Sequence, residues 1–394
     1  MRQVQMKALE RAADRIRASR DFLARLWRLE NDERPGFLVG YVGPRMRGGT
    51  PVRSALFSTE GKDSVRDRLM SPEKYLSAQL EEIEGQLAFR GDFVPALSPA
   101  IGVVGIPSAF GCEVVWWEKD FPSVKPIRND DPRRILGLEK PAAEAGELKR
   151  VLDHTRYFLK ETGGRLPIRM GDIQGPLDSA ALVFGHTEFF EAMRTHPAEA
   201  MRLMELVTGV SIDFVKAERR LVKEAGAEFV PSLFQPWIPD GWGVSVSNDA
   251  AVMISAEMHD RFCLPFLNRL SEEFGGISIH SCGNWTHLIP SLAKVSGLRG
   301  LEFGASETPF EAAAEAFGGR VVLACRVGQH RDLKFEGMAD YVRRVLKAAK
   351  TWPGLFIHVD ITNGMVDDSW PETDVNEIYR ILEMPLATRH QRLG

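Results

Sequence analysis

The stretch His280-Ser281-Cys282-Gly283-Asn284 sets an imidazole and a thiol two positions apart. On an extended strand, residues i and i+2 point to the same face, so these two side chains can converge on one ion. Zinc accepts nitrogen and sulfur donors together, and a catalytic zinc keeps one position open for substrate. Gly283 lets the chain turn sharply behind such a pair. A buried histidine packed beside a buried cysteine has the same spacing, so the motif by itself leaves both readings open.

The pair needs a strand ending at His280, and the chain contains one among eight. Short runs of strand character recur at 37–41, 93–97, 167–171, 228–233, 277–280, 300–303, 320–325 and 355–359. Helical apolar spacing falls between and beyond the later runs, at 197–224, 250–274, 308–317, 336–350 and 372–384. Strands alternating with helices imply parallel βαβ units. Eight such strands predict an α/β fold, a single (β/α)8 TIM barrel. Ahead of it, Leu9, Ala13, Ile16, Phe22, Leu23, Leu26 and Trp27 fall at helical spacing among charges. The reading is an N-terminal helical extension over 1–35 and a barrel domain over 36–394. A Pro- and charge-rich insertion at about 98–166 carries Val114-Val115-Trp116-Trp117. An open doubly wound sheet is the competing fold, but no Gly-x-Gly-x-x-Gly follows an early strand.

In such a barrel the reacting groups stand at the C-terminal ends of the strands and in the loops after them. That rule selects Tyr41 and Arg45, Asp172 and Gln174, His280 and Cys282, Glu302, Cys325 and Arg326, and His358 and Asp360. Asp92, just before its apolar run, joins them. Asp92, Asp172 and Gln174 read as catalytic groups that orient substrate, with loop capping as the alternative. Tyr41, Arg45, Trp242, Asn284 and Arg326 read as substrate-binding. Trp116, Trp117 and Trp237 are, with Trp242, aromatic candidates for the barrel mouth, although simple packing is the commoner role of such residues. Three of the last four strands end in a metal-ligand type and the fourth carries Glu302, so His280, Cys282, Glu302, Cys325 and His358 form the candidate metal set.

Composition narrows the partners. Across 394 residues, 50 basic against 54 acidic side chains leave a formal charge of −4, which offers no electrostatic case for nucleic acid or an anionic membrane. No apolar run reaches the roughly 18 to 20 residues of a membrane helix, and the start, Met1-Arg2-Gln3-Val4, leads into a charged helical pattern and not a signal-peptide core. The expected location is the cytoplasm. Four cysteines make no disulfide framework; Cys112 and Cys263 read as small buried apolar side chains. Apolar faces on the barrel exterior serve a monomer or a homodimer equally.

Several stretches resemble the uroporphyrinogen decarboxylase superfamily: Asp172-Ile173-Gln174-Gly175-Pro176-Leu177, the loop Gly241-Trp242-Gly243-Val244-Ser245-Val246-Ser247, Pro265-Phe266-Leu267, and His280-Ser281-Cys282-Gly283-Asn284. The resemblance runs from about residue 36 onward, is firmest between 170 and 330, and is closer to the corrinoid-dependent methyltransferases than to the decarboxylase. It implies zinc on the His-x-Cys pair, a third ligand, usually Cys, from a later strand, and a Glu between them. His280 and Cys282 match the pair, and Glu302 is placed like the Glu. No cysteine lies in 355–364, where the last ligand belongs; His358, Asp360 or Cys325 would have to replace it. The decarboxylase markers are thin. Asp92 resembles that enzyme's Asp, but only Gly43-Pro44-Arg45-Met46-Arg47 stands near its arginine signature, and 177–184 contain no Tyr.

Three functions follow as expectations. The first is zinc-dependent methyl transfer between a corrinoid (cobalamin) on a partner carrier protein and a small-molecule donor or a thiol or folate acceptor. The second is a metal-independent, uroporphyrinogen decarboxylase-like lyase step in which Asp92 stabilises a cationic intermediate. The third is a non-catalytic barrel that captures a corrinoid or tetrapyrrole.

Overall fold

The computed structural model describes residues 2–40, 45–47, 50–52, 56, 63–127, 131–233, 236–305, 307–327, 338–349, 353–360 and 375–383. Eight parallel strands carry the fold: β1 (Gly36–Gly40), β2 (Ile168–Arg169), β3 (Phe229–Val230), β4 (Val244–Ser247), β5 (Ile277–His280), β6 (Leu298–Gly304), β7 (Val322–Val327) and β8 (Leu355–Asp360). One continuous ladder runs β1-β8-β7-β6-β5-β4, and β2 pairs with β3. The segment expected as a strand at 93–97 is represented by a single parallel bridge, Leu97 to Ile168. Conversely, Val244–Ser247, taken from sequence as loop, is a fully buried strand. The fold is an α/β barrel of the (β/α)8 type.

Alternation along the strands sorts the side chains into two layers. Val244, Val246, Ile277, Ile279, Leu301, Phe303, Leu323, Leu355, Ile357 and Val359 join the large outer core beneath the helices. Val322, Ala324 and Phe356 belong to a smaller inner cluster. The register sets His280 opposite Glu302, Glu302 opposite Ala324, and Arg326 opposite His358. Polar side chains therefore gather inside, toward the C-terminal ends.

The N-terminal residues form two helices, Arg2–Arg11 and Ala13–Trp27. Phe22, Leu23, Leu26 and Trp27 of the second are buried in the inner cluster with Val322, Ala324 and Phe356. Two glycines make this possible: a Cβ at Gly36 would stand 2.6 Å from Leu26, and one at Gly300 3.0 Å from the Trp27 ring. Both lie at the N-terminal ends of their strands, so the helix closes the barrel from below. Trp27 Nε1 also donates to the Trp237 carbonyl at 2.9 Å. Trp27→Ala is expected to cost about 3–5 kcal/mol, through lost burial and the void left behind. Urea unfolding measures this, and a loss below about 1 kcal/mol would refute the sealing role.

The stretch 98–166 contains the helix Leu148–Thr162, which packs on the long helix Pro197–Glu224. Glu218 of that long helix is fully buried; Gly171 N donates to it at 2.8 Å. Thr155 Oγ1 lies 3.3 Å from its other oxygen and 3.0 Å from Val151 O. The carbonyl can only accept, so the hydroxyl proton goes there and a protonated Glu218 donates to Thr155. Burial pushes Glu218 up to about 8, so the folded state keeps a proton that the unfolded chain releases above its ordinary range. Stability is then expected to fall as pH rises from about 4.5 to about 8. Glu218→Gln removes that slope, gaining on wild type by a few kcal/mol between those limits. Urea titrations of both proteins at pH 5 and pH 9 test it; parallel pH profiles would refute it.

Candidate metal centre and active site

Asp249 opens the short turn Asp249–Met253 directly beyond β4. Both oxygens of the buried Asp178 carboxylate cap that turn, accepting Asp249 N at 2.9 Å and Ala250 N at 2.8 Å. The Asp249 carboxylate accepts from Cys282 N at 2.6 Å and from Ser247 Oγ at 2.8 Å. Its Oδ1 lies 3.4 Å from His280 Nε2, which lies 3.3 Å from Cys282 Sγ. Among the described residues, Asp249, His280 and Cys282 bring one oxygen, one nitrogen and one sulfur within 4.8 Å of one another.

Those separations suit one ion. Bond lengths of about 2.0–2.3 Å at tetrahedral angles put neighbouring zinc ligands roughly 3.3–3.6 Å apart. The far side of the imidazole is held as a ligand histidine is usually held: His280 Nδ1 is hydrogen-bonded to Glu302, which turns Nε2 toward Cys282 and Asp249. Burial works against a charged ring, and Glu302 and Cys282 more than offset it, raising His280 above its ordinary value; zinc would take the place of the Nε2 proton. The donor set and its spacing fit zinc.

Glu302 is itself buried, a position that would push its carboxyl up, yet Arg326 and His280 hold it below the ordinary range. Arg326 Nε lies 2.6 Å from Glu302 Oε1, and its guanidinium also faces the Cys282 sulfur. Burial and the neighbouring Arg326 push His358 down to about 4, so it faces its surroundings as a neutral imidazole. Glu302, Arg326 and His358 form one wall of a cavity of about 220 Å³ inside the barrel. Leu38, Phe93, Trp237 and Phe356 supply apolar walls, and Arg169 and Asp92 complete the polar lining.

The other residues expected at the site divide sharply. Asp172 and Gln174 stand beside the cluster, where Asp172 feels the charges of His280 and Asp249. Asp172 Oδ1 accepts from Gln174 N and Nε2 at 3.0 and 2.7 Å. Gln174 has φ 53°, a left-handed conformation uncommon for a side chain of its size. The next residue, Gly175, meets Ser247 so closely that a Cβ there would lie 2.0 Å from the Ser247 carbonyl. Asp92 stands toward the lower end of the barrel, gripped by Arg34 through two contacts of 2.7 Å and by Phe37 N at 3.0 Å.

Cys325 is not brought to the cluster. It alternates with the inward Ala324 and Arg326, so its sulfur lies in the outer core, where burial pushes the thiol far up. His358 faces inward but lines the cavity, and Glu302 meets the second nitrogen of His280. Trp242 precedes β4 and packs under Arg299, at 5.2 Å, at the strands' N-terminal end and so away from the cluster. Asn284 is exposed and caps its own turn by accepting from Thr286 N at 3.0 Å. Tyr41 lies outside the described residues, as do the side chains of Arg45 and Asp360. Trp116 packs against Arg150, and Trp117 is half exposed with Nε1 on Ser123. Cys112 and Cys263 are buried.

Asp249 was missed because the strand before it was read as loop. Val244-Ser245-Val246-Ser247 has period-2 alternation, and the strand-end rule applied there would have selected Asp249.

A parallel α/β barrel with a His–Cys–carboxylate cluster at the C-terminal ends of its strands is the class these features define. The sequence model of the uroporphyrinogen decarboxylase (URO-D) family matches residues 62–329, more than half of the 394, and the chain belongs to that family. No curated protein sequence matches the chain. Among solved structures, a methyltransferase from Methanosarcina mazei is similar, with a TM-score of 0.62 over 94% of this chain and 98% of that one. At 18% identity the likeness concerns the fold. Among the described residues, no helix is long and apolar enough to cross a membrane.

Proposed function

We propose that the chain is a zinc-dependent methyltransferase, moving a methyl group between a corrinoid carried by a partner protein and a small molecule. One observation carries the reading: Cys282 Sγ, His280 Nε2 and Asp249 Oδ1 converge with separations of 3.3 and 3.4 Å, while Glu302 secures the other ring nitrogen. Asp249, His280 and Cys282 would hold zinc, leaving a fourth position for substrate. Bound there, zinc supplies Lewis-acid chemistry, activating an acceptor thiol or polarising the heteroatom that carries a donor's methyl group. Asp249 fixes the Cys282 backbone, Glu302 fixes His280, and Arg326 balances Glu302. Asp172 and Gln174 flank the cluster and orient the small molecule at the open position, and the cavity adjoins the cluster through Glu302 and Arg326. The corrinoid rests on the sequence resemblance; methyl transfer is also in keeping with a fold shared with a protein named as a methyltransferase.

Asp92 weakens the decarboxylase alternative, because both its oxygens are engaged by Arg34 and Phe37. Elemental analysis of the purified chain tests the proposal. About one zinc per chain is expected; a folded, metal-free preparation that turns over substrate would refute it.

A further inference from the structure

A chain of buried polar groups runs from the surface to the residue before Asp249. Lys294 Nζ and Ser291 Oγ both donate to Asp260, each at 2.6 Å. Ser291 has a single hydroxyl proton, and Asp260 takes it, so Ser291 Oγ accepts from His259 Nδ1 at 2.7 Å. That assigns the proton of the neutral ring to Nδ1 and leaves Nε2 as an acceptor. Asn248 Nδ2 lies 3.2 Å from His259 Nε2 and donates to it. Every direction in the chain follows from the carboxylate at its end.

His259 is wholly buried, and burial pushes it down to about 4, in keeping with a neutral imidazole. Asn248 is nearly as buried. Its backbone N donates to the His280 carbonyl at 2.8 Å, and its carbonyl accepts from Ser281 Oγ at 3.3 Å. Asn248 is thus pinned to the first two residues of the His-x-Cys motif, and its side chain is pinned by His259. The next residue is Asp249. Such an arrangement commits buried polar groups to one another, and a satisfied buried network fixes geometry.

We propose that His259, set by Ser291 and Asp260, is a positioning residue that aims the Asp249 carboxylate at His280 and Cys282 through Asn248. The inference rests on the metal-site reading given above. Breaking the relay lets Asn248 rotate and widens the range of Asp249 positions. Hydrogen-bond partners one step beyond a ligand are typically worth roughly 10- to 100-fold in metal affinity.

The test uses the full chain as wild type, His259→Phe, Ser291→Ala, Ser291→Thr and, as a helix control, the exposed Glu257→Ala. Zinc affinity is read by competition with a chromophoric chelator, alongside the unfolding midpoint of each metal-free protein. Zinc binding roughly 10- to 100-fold weaker is expected in His259→Phe and Ser291→Ala, with Ser291→Thr restoring it and Glu257→Ala matching wild type. A merely structural role would lower the midpoint and leave the affinity of the folded protein unchanged, and that result overturns the proposal. If His259→Phe does not fold, Ser291→Ala decides. A second readout needs no metal: iodoacetamide alkylation of Cys282 in chelator-treated protein, followed by peptide mass spectrometry. It is expected to run several-fold faster in Ser291→Ala, as Asp249 loosens from Cys282 N. If wild type takes up no zinc, the zinc reading fails while the alkylation rates still decide the relay; equal rates would overturn it.

Discussion

If the proposed function holds, Cys282→Ala is expected to reduce bound zinc from about one per chain to nearly none and to abolish the proposed methyl transfer, while the barrel stays folded. Three protein donors form the cluster, and sulfur is the softest of them and a thiolate when metal is bound. Alanine leaves one nitrogen and one carboxylate oxygen, too few to hold zinc against water or a competing chelator. The fold should survive because Cys282 lies beyond the end of β5 and is only half-buried. Elemental analysis and far-UV circular dichroism measured together distinguish the outcomes. A variant that keeps a full equivalent of zinc would show that the metal sits elsewhere. Wild-type turnover in a metal-free variant would remove zinc from the chemistry altogether.

Glu302→Gln should produce the next largest effect, and on two measurements at once. Glu302 lies between two groups that need its charge: His280 at one oxygen and the Arg326 guanidinium, 2.6 Å away, at the other. Glutamine keeps the shape and loses the charge, leaving a guanidinium with only 13% of its side-chain surface exposed facing a neutral amide. Removing one partner of a buried pair costs about 3–5 kcal/mol, because the remaining charge has no solvent to return to. The amide also grips the His280 ring more weakly, and zinc affinity is expected to fall roughly 10- to 100-fold. Denaturant unfolding and chelator competition read the two effects separately. A variant with unchanged stability and unchanged affinity would mean that Glu302 neither balances Arg326 nor orients His280.

Much of the fold can be read in the chain, for identifiable reasons. The strand at 277–280 and the later strands announce themselves by apolar runs that end in polar residues, and the helix Pro197–Glu224 by its periodicity. The segment at 93–97 carries the same signal, but its described pairing reduces to one bridge, because composition reports apolarity and not hydrogen-bond partners. Val244–Ser247 fails in the other direction. Half of its residues are serines, so it reads as loop, although all four are buried inside a parallel sheet.

The site shows the same division. The sequence alone determined that His280 and Cys282 share a face, because strand geometry has period 2 and leaves little choice. It also put Glu302 on a neighbouring strand, near enough to matter. Only the tertiary structure decided the rest. Register set Glu302 opposite His280, and the inward–outward alternation of Val322–Val327 sent Cys325 to the outer layer although its residue type suited a metal. The turn after Val244–Ser247 brought in Asp249, a residue 31 positions before His280 whose carboxylate meets it only through folding. Spacing along one strand is a local quantity, written in a few residues. Which strand ends face one another depends on register and pairing across the barrel, and no local run of residues encodes that.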